Sequence, residues 1–303
     1  MGLGIQLLEI PAARAKDPRA RAYIIDHLKP GTTLSRRVEV RNTSPEPQQV
    51  DLYVGAATVE RNVFTAADGR GGNELSGWVS LESSSADLEP GDRKQVEVTV
   101  AVPDTASKGE RYGAVWAQIT KPPTAQDNVG KIHRVGIRMY LDIGSGGEPP
   151  TDFRIDGLAV GLGGGEWPVL TARVHNTGGR ALDMGGSVSL TSESGRVSAG
   201  PFTVASGVTI LPGESGQVSA LIDQPLSSGR WDVRMTLFSG TVERTLEGRV
   251  SLSGAVAAAE SSGPRPLLLS LSIGAGLALL LVTTAFAGYF LRRRRTRDTA
   301  GAL

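Results

Sequence analysis

The chain has 303 residues, no cysteine, 39 glycines and 5% aromatic residues, with 32 basic against 31 acidic side chains and a net charge of +1. The absence of cysteine excludes disulfides, thiolate chemistry and Cys-based metal sites together. Arg292, Arg293, Arg294, Arg295 and Arg297 concentrate positive charge at the end, so the preceding chain is slightly acidic, and nucleic acid is excluded as a partner.

Residues 1–143 read as consecutive strands. Val50, Leu52 and Val54 recur at every second position. Val96, Val98, Val100 and Val102 do the same, as do Val135, Ile137, Met139 and Leu141. A period of two marks a half-buried antiparallel strand. Lys29-Pro30-Gly31, Glu89-Pro90-Gly91 and Lys108-Gly109 supply turns between the runs. Residues 144–150, a Gly/Ser piece followed by prolines, form a linker by composition. Residues 151–253 begin a second set of strands, in which Trp231, Val233, Met235 and Leu237 alternate. Gly163-Gly164-Gly165 marks a turn there; no helix follows it, so it is no phosphate cradle.

The two regions share a plan. Val38-Glu39-Val40-Arg41-Asn42-Thr43, then Leu88-Glu89-Pro90-Gly91, then Gly109-Glu110-Arg111-Tyr112 correspond to Ala172-Arg173-Val174-His175-Asn176-Thr177, Leu211-Pro212-Gly213-Glu214 and Gly229-Arg230-Trp231. Each asparagine closes a strand into a turn, where its side chain bonds to nearby backbone. The late aromatic is expected to fill the space between two sheets. The fold class expected is all-β, two immunoglobulin-like β-sandwiches followed by one C-terminal transmembrane helix.

Residues 254–266, rich in Ala, Ser, Gly and Pro, read as a stalk. Residues 267–291 carry no charge and are long enough, at ~1.5 Å per residue, to cross a bilayer. The arginines of the tail, residues 292–303, place the C-terminus in the cytoplasm and the large N-terminal region outside. The expected location is the cell membrane, with a single pass. Residues 1–7 look like a strand rather than an export signal, so such a signal is expected upstream of Met1.

Several phrases between residues 17 and 119 carry a resemblance. They are Asp17-Pro18-Arg19-Ala20-Arg21-Ala22-Tyr23, Pro30-Gly31-Thr32-Thr33, Arg37-Val38-Glu39-Val40-Arg41-Asn42-Thr43, Asn73-Glu74-Leu75-Ser76-Gly77-Trp78 and Gly109-Glu110-Arg111-Tyr112-Gly113-Ala114-Val115-Trp116-Ala117. Residues 1–143 on this basis resemble the N-terminal, peptidoglycan-binding domain of the WxL-interacting protein family in its actinobacterial form. The resemblance implies peptidoglycan as a partner, and other surface proteins beside it.

No catalytic, cofactor-binding or metal-ligating set stands out. Asp26 and His27 are adjacent on a strand and point to opposite faces, so they cannot pair as a catalytic dyad. His27, His133 and His175 share no ligand spacing. Among the tryptophans, Trp116 and Trp231 are expected in the cores, Trp167 at a hairpin edge. Trp78, after the polar loop 69–73, is the candidate ligand-binding aromatic, able to stack on a sugar ring; packing beneath the loop is the alternative. The function expected is a membrane-anchored, non-enzymatic scaffold at the cell surface. The alternatives are a wall-processing enzyme or a receptor signalling through a membrane partner.

Overall fold

A computed structural model describes residues 2–123, 128–162 and 167–252. The expected stalk, transmembrane helix and tail lie outside these residues, as do Gly163-Gly164-Gly165. The described chain is all-β apart from one short α-helix and two 3-10 turns.

Ten strands precede the linker: β1 (Leu3–Leu7), β2 (Ile24–Leu28), β3 (Thr33–Asn42), β4 (Gln48–Glu60), β5 (Val63–Ala66), β6 (Val79–Leu81), β7 (Ser85–Leu88), β8 (Arg93–Ala101), β9 (Gly109–Lys121) and β10 (Lys131–Ile143). They form two sheets, β1-β3-β8-β6 and β2-β10-β9-β4-β5, with β7 added on β4. The valine alternation read at 96–102 is the inner face of β8, and that at 135–141 the inner face of β10. Both fill one core with Val38, Val40, Leu52 and Val115. The helix α1 (Glu74–Trp78) is too short to show an apolar period. Asn73 caps it: the side-chain Oδ1 accepts from Ser76 N at 2.9 Å, and Asn73 N donates to Ser76 Oγ at 2.7 Å. Leu75 is fully buried and anchors the turn in the core.

After the linker come β11 (Phe153–Leu162), β12 (Pro168–Asn176), β13 (Leu182–Asp183), β14 (Gly185–Ser192), β15 (Ser198–Thr203), β16 (Thr209–Ile210), β17 (Ser215–Leu221), β18 (Gly229–Ser239) and β19 (Val242–Leu252). The sheets β11-β12-β17 and β15-β14-β18-β19 enclose a second core around Trp231, Leu170, Leu190 and Met235.

The repeated plan is visible atom by atom. Asn42 is buried; its Nδ2 donates to Glu46 O at 2.7 Å and Leu88 O at 3.0 Å, and its Oδ1 accepts from Ser44 N. Asn176, also buried, donates to Arg180 O at 2.8 Å and Ile210 O at 2.9 Å, and accepts from Gly178 N. In both, the next Pro-Gly turn returns the bond: Gly91 N to Asn42 O and Gly213 N to Asn176 O. Buried backbone carbonyls at a strand crossing need a donor, and a carboxamide offers two N–H groups at once. Gly109 and Gly229 open the late strand of each sandwich at φ of 130° and 134°, a region closed to residues with a Cβ.

The two sandwiches touch through a mixed aromatic and ionic contact. Tyr23, Phe64, Tyr112 and Tyr140 pack ring on ring, with centroids 5.2–6.4 Å apart, and Ala181 and Leu211 close over them. Beside the rings, Arg180 is 3% exposed. Its Nε donates to Glu110 Oε1 at 2.6 Å, its Nη1 to Glu148 Oε1 at 2.5 Å. The other Glu110 oxygen accepts from Ala181 N at 2.7 Å and Tyr112 OH at 2.8 Å. Buried charges this close hold only when their remaining hydrogen bonds are satisfied, and these are. Tyr112 therefore serves the contact between sandwiches, and the expectation that it fills its own core is corrected. Parity is the reason. Val115, Ala117 and Ile119 take the inner face of β9, which leaves Tyr112, Ala114 and Trp116 on the outer one.

Candidate functional site

The strand β10 is paired along its whole length with β9, from Lys131 opposite Lys121 to Ile143 opposite Gly109. On its other side β2 runs parallel to Met139–Ile143 only. Among the described residues, nothing pairs with the outer edge of residues 132–138. β1 lies alongside but bonds to β3. Alternate residues of this stretch direct both N–H and C=O toward the open side.

Its outward face carries Ile132, Arg134, Gly136 and Arg138. Ile132 is 67% exposed. Gly136 sits opposite Trp116, whose six-membered ring covers it so closely that a Cβ there would stand 2.5 Å from Cε3. Only glycine admits the ring. The Arg134 guanidinium lies 4.6 Å from the centroid of the same ring and donates to Ala67 O. Beyond Trp116, Tyr53 faces it across the strands, donates to Gln118 Oε1 at 2.8 Å and carries Arg70 4.6 Å above its ring. Arg138 is drawn the other way, over Phe64 at 4.7 Å and toward Asp183 at 3.6 Å.

Trp116 is thus half-buried on an outer sheet face rather than in the core, a correction to the sequence expectation. Its Nε1, over Gly55, is buried and finds no hydrogen-bond partner among the described residues. Trp231 does fill its core, with Nε1 donating to Ser227 O at 3.1 Å. Trp78 ends α1, half-buried against the first core. Trp167 is half-buried just before β12.

Two of the three histidines, His27 and His175, are placed as structural partners. Asp26 and His27 diverge, as adjacent strand residues must: Asp26 pairs with Arg36 at 2.6 Å. His27 finds a different carboxylate, Asp142, at 2.6 Å across β2 and β10. That pair, 115 residues apart, has no sequence signature. Its second ring nitrogen lies 2.9 Å from Gly146 O, so no nucleophile occupies the position that general-base catalysis requires. His175 meets Ser215 Oγ at 3.0 Å, and among the described residues no carboxylate is hydrogen-bonded to its ring. Among the described residues no cluster of His, Cys, Asp or Glu has the spacing of a metal site. A shallow concavity of ≈ 630 Å³ on the outer face of β14, β18 and β19 is lined by charges already paired with one another, Arg234 with Glu247 at 2.6 Å and Arg249 with Asp232 at 2.8 Å. Two titrations are displaced strongly. Burial, then the Glu110 carboxylate, pushes the Tyr112 phenol far above its ordinary range. Burial and Asp183 do the same for Tyr140.

No family model matches the chain, and no curated protein matches it. Among solved structures it is similar to fimbrial chaperones. The class 5 fimbrial chaperone CfaA is 15% identical over 82% of this chain and 99% of its own, with a TM-score of 0.35. The E. coli chaperone DraB is 12% identical over 75% and 94%, at 0.40. The Pseudomonas aeruginosa CupB2 chaperone is 13% identical over 76% and 97%, at 0.38. Likeness at these values says nothing of what the chain binds.

With no family model matching, the expected membership of the WxL-interacting family is corrected, and with it the peptidoglycan partner and the wall-scaffold function, which rested on that membership alone. The quoted phrases have a different physical basis. Asp17 caps a 3-10 turn and holds Arg19 against the second sandwich. Asn42 closes a crossing, Asn73 caps α1, and Glu110 and Tyr112 build the contact between sandwiches. Each of these residues holds the architecture together. The single-pass cell-surface placement is corrected as well: among the described residues no helix is long and apolar enough to cross a membrane, and residues 267–291 lie outside them.

Proposed function

We propose that this chain is a non-enzymatic binding module, built of two immunoglobulin-like sandwiches, that takes up an extended segment of a partner protein along the open edge of β10. The observation that carries the reading is the edge at residues 132–138, unpaired among the described residues and continuous with a paired sheet. Backbone groups there are arrayed for strand addition, in which main-chain hydrogen bonds supply affinity and alternate side chains supply selectivity.

Exposed edges are normally guarded by outward charges. Here both arginines of the stretch are folded back, Arg134 onto Trp116 and Arg138 onto Phe64 and Asp183, while Ile132 stays exposed. The edge is also stiff. β10 runs on into the contact that Tyr140 and Arg180 make between the sandwiches, so docking orders little that is not already ordered.

Selection of displayed random peptides against the full chain, followed by amide hydrogen exchange, tests the reading. Enriched peptides should slow exchange at alternate amides of residues 132–138. Slowing confined to another strand, or no enrichment over an unrelated sandwich, overturns it.

A further inference from the structure

We infer that the segment accepted by β10 carries a carboxylate flanked two residues away on each side by apolar side chains, in the order apolar-x-acid-x-apolar. This rests on the strand-addition reading and adds the chemistry of the partner. In a paired sheet, residues directly opposite stand about 4.5–5.5 Å apart at Cβ and interact on a shared face. An added strand therefore meets Ile132, Arg134 and Gly136 in turn with every second side chain.

The middle one faces Arg134. Among the described residues no carboxylate pairs with this guanidinium; its neighbours are the Trp116 ring and the Ala67 carbonyl. A guanidinium stacked on an aromatic face keeps N–H donors free at its rim, and a carboxylate is their natural acceptor. On one side the partner meets Ile132, already exposed and apolar. On the other it meets Gly136, where no side chain stands and the benzo edge of Trp116 fills the space above the backbone. An apolar side chain there covers that edge.

The motif reads alike in both directions, so parallel and antiparallel addition meet the same order. A second copy of this chain does not supply it through the same edge, because the outward face of β10 from 132 to 138 holds two arginines and no acid.

The test uses capped heptapeptides, Thr-Val-Thr-Glu-Thr-Val-Thr and the same peptide with central Lys, titrated into the full chain and followed by amide chemical shifts. The Glu peptide should move residues 132–138 and bind about tenfold more tightly than the Lys peptide. Arg134→Glu should invert the order. Arg134→Gln, the milder change, should level the two while leaving the shifts in place. Equal binding of both peptides to the unaltered chain, with shifts at 132–138, would overturn the acidic motif and leave strand addition standing. Absence of shifts at 132–138 with either peptide, at concentrations near their solubility, would overturn both.

Discussion

The two sandwiches share a framework and differ in where they send their aromatics. Asn42 and Asn176 make the same bonds to the residue four ahead and to the strand before the Pro-Gly turn. Gly109 and Gly229 open the corresponding strands with the same unusual φ. Yet Trp231 is 1% exposed in its core, and Trp116 lies on an outer face beneath Arg134. The cause is register parity. Inner positions of β9 and β18 carry odd numbers, and Trp116 falls on an even one. A single residue of offset turns the same side chain from core filler to surface platform.

The sharpest way to break this comparison is to truncate both tryptophans. Trp231→Ala should cost about 3–5 kcal/mol, because the removed ring leaves a cavity that strands on both sides hold open. Trp116→Ala should cost only about 1–2 kcal/mol, since water replaces part of what is lost. Denaturant unfolding monitored by circular dichroism measures both, and equal costs would contradict the placement of Trp116.

The second test concerns what joins the sandwiches. Arg180→Ala leaves the Glu110 carboxylate buried without its ion partner, a loss of about 3 kcal/mol. Calorimetry should resolve one unfolding transition for the unaltered chain and two for this variant. A single transition at lowered temperature would show that the aromatic cluster alone couples the two halves.

The smallest effect is a pH dependence confined to the alkaline side. Tyr112 and Tyr140 keep their protons in the folded chain beyond the pH, near 10, at which an unfolded tyrosine ionises. Below that pH neither state releases them and stability is unaffected. Above it only the unfolded chain does so, and stability falls by about 1.4 kcal/mol per pH unit per phenol. Tyr140→Phe should reduce the slope between about pH 10 and about pH 12 by one group, as read from denaturant midpoints. An unchanged slope would place that phenol in water.

Much of the fold was legible in local pattern. Val96, Val98 and Val100 announced β8, and Val135, Ile137 and Met139 announced β10, because a period of two survives in any half-buried strand. The doubled Asn and Pro-Gly phrases announced the crossings. The candidate site was not legible. Val135, Ile137, Met139 and Leu141 read as one uniform alternation, and no feature of it says that β2 stops short at residue 139. The nearest signal was the interruption of the outward face by Gly136 opposite an aromatic on the neighbouring strand.

What the sequence determined by itself was alternation, turns and the absence of thiol chemistry, since these depend on neighbours along the chain. Only the tertiary structure decided which face each tryptophan takes, which carboxylate reaches His27 and which seven residues of β10 have, among the described residues, a strand partner on one side only. Those outcomes depend on register and strand length between segments more than a hundred residues apart, where a shift of one residue reverses the answer while the local pattern stays the same.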